Sequence, residues 1–313
     1  MASVREMGQA LREIARLTRE VPAWPADSGL PGVMLTRGDV PPHQLAAVYE
    51  PILGFTVFGR KTISIGGHTV DAKGPSYYVI PSDVPATGSV RSGKEGDGYL
   101  SLGLRLNHSV LRELLRVLPA EPRGAVAERL VAVTPSNEFV DAWCRMLRLV
   151  RTPEAIPALG PVYEREILYR VLSGPDGARL RLCGFEGGSS VRVHESIQTI
   201  RERYSETIDV RLLAADSGMS WTTFHRQFKR VTGLSPIQYQ KELRLLEARK
   251  ILVYEGLSVR EAAFQVGYES ASQFNREYSR LFGAPPAADA ARIREAELES
   301  PASGHDAETA APA

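Results

Sequence analysis

The chain has 313 residues, 43% hydrophobic and 24% charged, and its 38 Lys and Arg nearly balance 37 Asp and Glu for a net charge of +1. That length calls for two or three folding units, and the composition is that of a globular protein rather than a disordered or fibrous one. Only two cysteines occur, Cys144 and Cys183, outside any CxxC spacing. They exclude a disulfide scaffold or a structural zinc site and fit a reducing compartment.

The opening MASVREMGQALREIARLTREV carries charges every three or four residues, which a secretory leader would not. No window approaches the roughly 20 apolar residues of a membrane span. A cytoplasmic protein without membrane contact is therefore expected. Val4, Met7, Leu11, Ile14 and Leu17 recur at helical spacing, predicting an amphipathic helix within residues 1–22. Its apolar stripe would pack on its own core or on a dimer partner.

Residues 23–108 change character. Gly and Pro punctuate short runs of β-branched and aromatic residues. Strands are predicted at Gly32–Thr36, Ile52–Phe58, Lys61–Ile65, His68–Ala72, Ser76–Ile80, Ala86–Arg91 and Tyr99–Leu106, with Gly66-Gly67 as a hairpin turn. Many short strands with tight turns favour a small antiparallel barrel or sandwich. From 109 to 185 three apolar stripes predict helices: Val110 to Leu118, Phe139 to Val150 and Val162 to Leu172. They suit a connector or dimer interface. The run EGGSS at 186–190 reads as a flexible joint. The Ala, Pro and acidic end, 293–313, is expected to be disordered.

Residues 191–292 read almost wholly as helices, and two stretches share a layout. They are VRLLAADSGMSWTTFHRQFKRVTGLSP (Val210–Pro236) and VREAAFQVGYESASQFNREYSRLFGAPP (Val259–Pro286). Each has a small-residue pair, Ala214-Ala215 or Ala262-Ala263, then a glycine, Gly218 or Gly267. A helix-turn-helix needs a small residue at its close crossing and a glycine in its turn. Ser220 and Ser270 stand where an N-cap is needed. Phe224 with Phe228, and Phe274 with Tyr278, mark the buried face of each second helix. Gly233 and Gly283, each soon followed by proline, are stop signals. The doubling argues against a purely structural helical bundle.

Between the units, Pro236–Tyr254 has an apolar face at Tyr239, Leu243, Leu246, Ile251 and Leu252. About 18 residues of helix span roughly 27 Å, the order needed to set two reading helices in grooves about 34 Å apart. Charge is concentrated here. Residues 220–250 hold seven basic side chains (Arg226, Lys229, Arg230, Lys241, Arg244, Arg249, Lys250) and two acidic ones (Glu242, Glu247), seven minus two giving +5.

The segment from about His194 to Arg292 resembles the DNA-binding domain of the AraC/XylS family. The second unit, GYESASQFNREYSRLFGAPP, is close to that family's signature. Residues 30–110 resemble, less strongly, the β-rich N-terminal domain of one branch, through LTRGDVPP, VYEPILGFTVFGRKTISIGG and YYVIPSDVPATGSV. The resemblance implies a multidomain α and β protein. It would have an N-terminal cupin-like β-barrel, a helical connector and a C-terminal all-α double helix-turn-helix. The second helix of each unit, about 221–232 and 271–282, would enter adjacent major grooves of double-stranded promoter or operator DNA. Thr222, His225, Arg226 and Lys229 would face DNA from the first, and Ala271, Ser272, Asn275 and Arg276 from the second. These positions lie opposite the aromatic pairs. Arginine can pair bidentately with guanine, and asparagine with adenine. For Arg226 and Arg276 a phosphate contact is the rival. Implied partners are a second copy of the chain, a small-molecule effector and, for an activator, RNA polymerase.

For the β-rich part, Arg37, Glu50, Tyr77, Tyr78, Ser82 and Asp83 are candidate effector contacts, Arg37 and Glu50 also being potential partners of one another. Two alternatives stay open: a cupin-type enzyme, and a module that only dimerises. His43, His68 and His108 lack the clustering of cupin metal ligands. No GxGxxG, P-loop, GxSxG or HExxH motif occurs. Catalytic residues, metal and cofactor are accordingly not expected.

Overall fold

The computed structural model describes residues 2–21, 29–38, 40–93, 98–119, 130–184 and 189–299. The chain divides into two compact units, residues 1–202 with 209–240 and residues 203–208 with 241–313.

In the first unit α1 (Ala2–Thr18) buries Leu11, Ile14 and Leu17 in the unit's own core. Arg148 clamps Glu13 bidentately at 2.8 and 2.9 Å, and Arg151 does the same for Glu20. Eight strands follow: β1 (Val33–Arg37), β2 (Ala47–Tyr49), β3 (Ile52–Phe58), β4 (Arg60–Ile65), β5 (His68–Lys73), β6 (Ser76–Ile80), β7 (Val84–Arg91) and β8 (Leu100–Arg105). The expected barrel is not closed. The strands form two four-stranded antiparallel sheets, ordered β1-β8-β3-β6 and β2-β7-β4-β5. β2 was not foreseen. Its three residues follow a short 3₁₀ turn at Pro42–Leu45 and are only half-buried, too little for a periodic signal.

The helical connector comprises α2 (His108–Val117), α3 (Asn137–Arg148), α4 (Ile156–Leu172) and α5 (Gly177–Gly184). On β3, Leu53, Phe55 and Val57 point one way, into a core with Phe139, Trp143, Leu168 and α1. Alternation sends Gly54 and Thr56 the other way. Tyr77 stacks on Phe139 at 4.9 Å and lies beside Asp176, whose carboxyl is pushed up to about 6, chiefly by burial. Residues 186–188 of the expected joint lie outside the described residues, and Ser189 already begins α6 (Ser189–Glu202). α7 (Val210–Asp216), α8 (Trp221–Thr232) and the first turns of α9 (Pro236–Lys250) complete this unit.

The second unit takes the rest of α9, a π-helical turn at Ile251–Glu255, α10 (Val259–Gln265), α11 (Ala271–Phe282) and α12 (Pro286–Glu299). Its core joins Leu245, Ala248, Leu252, Ala262, Ala263, Phe274, Tyr278 and Ile293. α12 overturns part of the expected disordered tail. Its residues through Glu299 stay helical because Ile293 is buried, Arg294 donates to the Leu252 carbonyl at 2.8 Å and Tyr254 donates to Glu297 at 2.9 Å. Residues 300–313 lie outside the described residues.

Candidate nucleic-acid interface

Both second helices fall where sequence placed them. α8 starts at Trp221 because the Ser220 hydroxyl accepts from the Thr223 amide, and α11 starts at Ala271 because Ser270 does the same for Gln273. Phe224 and Phe228, and Phe274 and Tyr278, are fully buried. The helix faces opposite them are thereby turned to solvent.

The first helices correct the register. The buried pair in α7 is Leu213-Ala214, not Ala214-Ala215, and it matches Ala262-Ala263 of α10. Gly218 and Gly267 then align, and the second turn holds one extra residue, Glu269. That turn is organised by Arg244. Its guanidinium donates to the carbonyls of Tyr204 at 2.6 Å, Gly267 at 2.7 Å, Ser205 at 3.2 Å and Glu206 at 2.8 Å.

On α8, Thr222, Arg226 and Lys229 are exposed, and none makes an ion pair among the described residues. His225 is half-buried with its ring 4.3 Å from that of Trp221. Trp221 itself is 53% exposed, a rare position for a large aromatic. Sequence reasoning passed over it. The signal was there: it sits one residue after the N-cap, as Ala271 does on α11. On α11, Ser272 and Arg276 are exposed, Ala271 and Asn275 half-buried. The Asn275 amide donates to the Ala271 carbonyl at 2.9 Å, so one arm of a bidentate adenine contact is already engaged. Thr222 with Arg226 and Ser272 with Arg276 occupy equivalent positions on the two helices. Arg226 and Arg276 are both free of carboxylate partners among the described residues. The acid on α11, Glu277, is held by Lys241 at 2.7 Å and by the Tyr268 hydroxyl at 2.8 Å. Burial alone would raise its pKa, but these partners bring it below the ordinary value.

The local charge is smaller than composition indicated. Three of the seven basic residues are internal fasteners: Lys241 on Glu277, Arg244 on carbonyls, and Arg249 on Asp289 at 2.8 Å. Asp289 is wholly buried and also accepts from Tyr278 at 3.0 Å and Arg292 at 2.6 Å. Desolvation pushes it up, but the two arginines and the phenol prevail and hold it below the ordinary carboxylate value.

The six candidate effector contacts do not converge. Arg37 donates to the Thr18 carbonyl at 3.0 Å, and Glu50 faces Arg105 at 3.5 Å, so the two do not pair with each other as considered from sequence. Tyr77 lies on the helical side of its sheet, Tyr78 on the opposite side over Gly54. Ser82 and Asp83, in the turn from β6 to β7, hold the helices that flank the first helix-turn-helix, α6 and α9, and touch the end of α8. The Asp83 carboxylate accepts from Gln198 at 3.0 Å and pairs with Arg201 at 2.9 Å, its carbonyl accepts from the Tyr239 hydroxyl at 3.0 Å, and Ser82 donates weakly to the Val231 carbonyl at 3.5 Å. Beside this contact a cavity of about 30 Å³ is lined by His68, Ile80, Arg179, Val231 and Thr232, with room for water rather than an organic effector. Among the described residues no group of three or more His, Cys, Asp or Glu could hold a metal, and no helix is long and apolar enough to cross a membrane.

Residues 29–179 match the family model of the AraC-type transcriptional regulator N-terminus, and residues 213–292 match a helix-turn-helix domain model. The chain is 32% identical over 128 residues to the HTH-type transcriptional activator RhaS of Escherichia fergusonii, covering 41% of this chain and 46% of the relative. It is 27% identical over 172 residues to the HTH-type transcriptional regulator GbdR of Pseudomonas aeruginosa, covering 53% and 47%. The chain thus spans about half the length of these relatives. Among solved structures, the DNA-binding domain of AdpA in complex with a target DNA aligns at 32% identity over 34% of this chain and 97% of that one, TM-score 0.33. An apo variant of ToxT from Vibrio cholerae aligns at TM-score 0.51 and 8% identity over 83% of this chain and 97% of that one, a likeness of fold alone. With both of its halves matched in order, this chain belongs to the AraC/XylS family.

Proposed function

We propose that the chain is a sequence-specific DNA-binding transcription regulator that inserts α8 and α11 into adjacent major grooves. The observation that carries this is the repeated reading face: Thr222 with Arg226 and Ser272 with Arg276, at equivalent solvent-facing positions, with neither arginine paired to a carboxylate of the described residues. A free guanidinium near the start of a helix that fits the groove is suited to the O6 and N7 edge of guanine. Because His225 on α8 is replaced by Asn275 on α11, each monomer's site is asymmetric. RhaS, named an activator, and GbdR, named a regulator, support the assignment.

The protein acts in the cytoplasm by binding rather than by catalysis. The β-rich part senses a small molecule, and the Asp83 grip on α6 and α9 passes its state to the first reading helix. The half-exposed Leu159, Val162 and Tyr169 on α4 form the contact with a second copy. RNA polymerase is a partner if the regulator activates. Selection of bound DNA from genomic fragments, followed by titration of the full chain on selected and scrambled duplexes, tests the function. Equal affinity for both would remove it.

A further inference from the structure

The first helix carries a charge pattern that its packing does not use. Along α1, Arg5, Arg12 and Arg16 follow one another at intervals of seven and four residues, and Arg19 stands three further on. Arg19 continues the helical turn, its amide donating to the Arg16 carbonyl at 3.2 Å. At about 100° and 1.5 Å per residue the four fall within an arc of roughly 60°, in one row about 21 Å long. All four are exposed, and none makes an ion pair or a side-chain hydrogen bond among the described residues. The opposite face of the helix is fixed, with Leu11, Ile14 and Leu17 buried in the core. Glu13 is held by Arg148 and Glu20 by Arg151, and Glu6 lies off the row. Arg16 is close enough to Glu13 and Glu20 to help depress their pKa values, but it bonds to neither. At the end of the helix the Arg37 guanidinium donates to the Thr18 carbonyl at 3.0 Å and brings a fifth positive charge. Like charges four residues apart, as on Arg12 and Arg16, weaken a helix. The fold therefore does not ask for this row, and the chain's net charge of only +1 makes it a local excess.

We propose that the row on α1 is a further DNA contact, independent of sequence, that seats the phosphate backbone of duplex flanking the site read by α8 and α11. The proposal rests on the DNA-binding reading above. The four cations are all arginines, whose planar forks match phosphate oxygens. Duplex DNA carries one negative charge per roughly 1.7 Å of its axis, so a row of about 21 Å meets several phosphates at once. The neighbourhood of the reading helices supplies less charge than such binding draws on. Lys241, Arg244 and Arg249 are engaged inside the second unit, while contacts to phosphate supply essentially all of a protein's sequence-independent affinity for DNA. A second copy of the chain laid on the same row would set arginine against arginine and be repelled.

The test is the salt dependence of DNA binding by the full chain, on the selected site alone and on the same site extended by about two helical turns at each end. Each phosphate contact steepens the slope of log affinity against log salt by about 0.9. The extended duplex should therefore give a slope steeper by about 3 to 4 than the short one. Arg5→Gln, Arg12→Gln, Arg16→Gln and Arg19→Gln together should remove that increment, and Arg12→Gln with Arg16→Gln about half of it. Glutamine has nearly the helix propensity of arginine, so the helix is retained. Arg→Lys at the same four positions should keep the increment. Phosphates carry no sequence information, so the ratio of affinities for selected and scrambled duplexes of equal length should not move. Equal slopes on the short and extended duplexes, or a fourfold glutamine variant with the native slope, overturn the contact. A fourfold variant that binds both duplexes as the native chain does but loses RNA polymerase also overturns it, and puts an acidic protein surface on the row instead. Preference for the selected site that persists without the increment sinks the row alone, whereas absence of any preference in the native chain sinks the reading of α8 and α11.

Discussion

Gly267→Ala should disable the second helix-turn-helix without touching its reading face. Gly267 has φ of +86°, where an L side chain is strained, and a Cβ placed on it would collide with the Ser205 carbonyl. Strain alone is worth about 1–2 kcal/mol. The collision forces apart the carbonyls of Ser205 and Gly267, which Arg244 gathers together with those of Tyr204 and Glu206. Hydrogen bonds from a charged donor contribute about 1.5–3 kcal/mol each, so losing two of these four brings the total to roughly 4–8 kcal/mol. Gly283 supplies the control within the same unit. Its φ is +76°, but a Cβ there meets nothing within 4 Å. Gly283→Ala should therefore cost only about 1–2 kcal/mol. Chemical denaturation of the full chain, followed by hydrogen exchange in residues 241–299, would measure both. Equal losses for the two variants would refute the claim that Arg244 and the close approach at Ser205, rather than φ alone, fix the turn.

Arg276→Ala and Arg226→Ala should each weaken binding to selected DNA by about 1–3 kcal/mol while leaving scrambled DNA nearly unaffected; an equal loss on both, with a shallower salt slope, would mark phosphate contacts. Asn275→Ala should cost less than Arg276→Ala, under about 1 kcal/mol, because its amide must first leave the Ala271 carbonyl, and a larger loss in the same titration would count against that bond. Acid should unfold the second unit early. Asp289 is depressed when folded, so its contribution is full above the unfolded value near 4 and fades as pH falls through the folded pKa; Asp289→Asn should flatten this dependence in denaturation curves between about pH 5 and pH 2. Asp83→Ala should cost the first unit about 2 kcal/mol, discounted for the part-exposed Arg201, and loosen exchange protection in α6 and α8. Unchanged protection would argue that the β6–β7 turn does not hold the reading helix.

What sequence made legible was local. The reading helices were bounded correctly because each boundary is written in one or two residues, a serine N-cap and a terminal glycine, and the buried aromatics sit at four-residue spacing. Six of the eight strands carried a turn residue at one end. Sheet closure was not legible, since pairing β1 with β8 and β3 with both β8 and β6 depends on contacts far apart in sequence. Lys61 was legible but passed over: two-residue alternation along β4 places it on the face of the buried Ile63 and Ile65, and its Nζ stands 5.8 Å from the Tyr78 ring centre. Composition also overstated the DNA-facing charge. Lys241, Arg244 and Arg249 look like a basic surface until their partners at Glu277, Gly267 and Asp289 are placed.

The central claim is that both reading helices engage specific DNA. The most direct measurement is the affinity of the full chain for its selected duplex relative to scrambled DNA, at one fixed salt concentration, for the native sequence, both single arginine variants and the double Arg226→Ala, Arg276→Ala variant. A preference of about 10³-fold or more is predicted for the native chain. Each single change should lower it, and the double change should lower it by the product of the two factors, as for independent contacts. A preference unmoved by one of the single changes would show that the corresponding helix does not read the DNA.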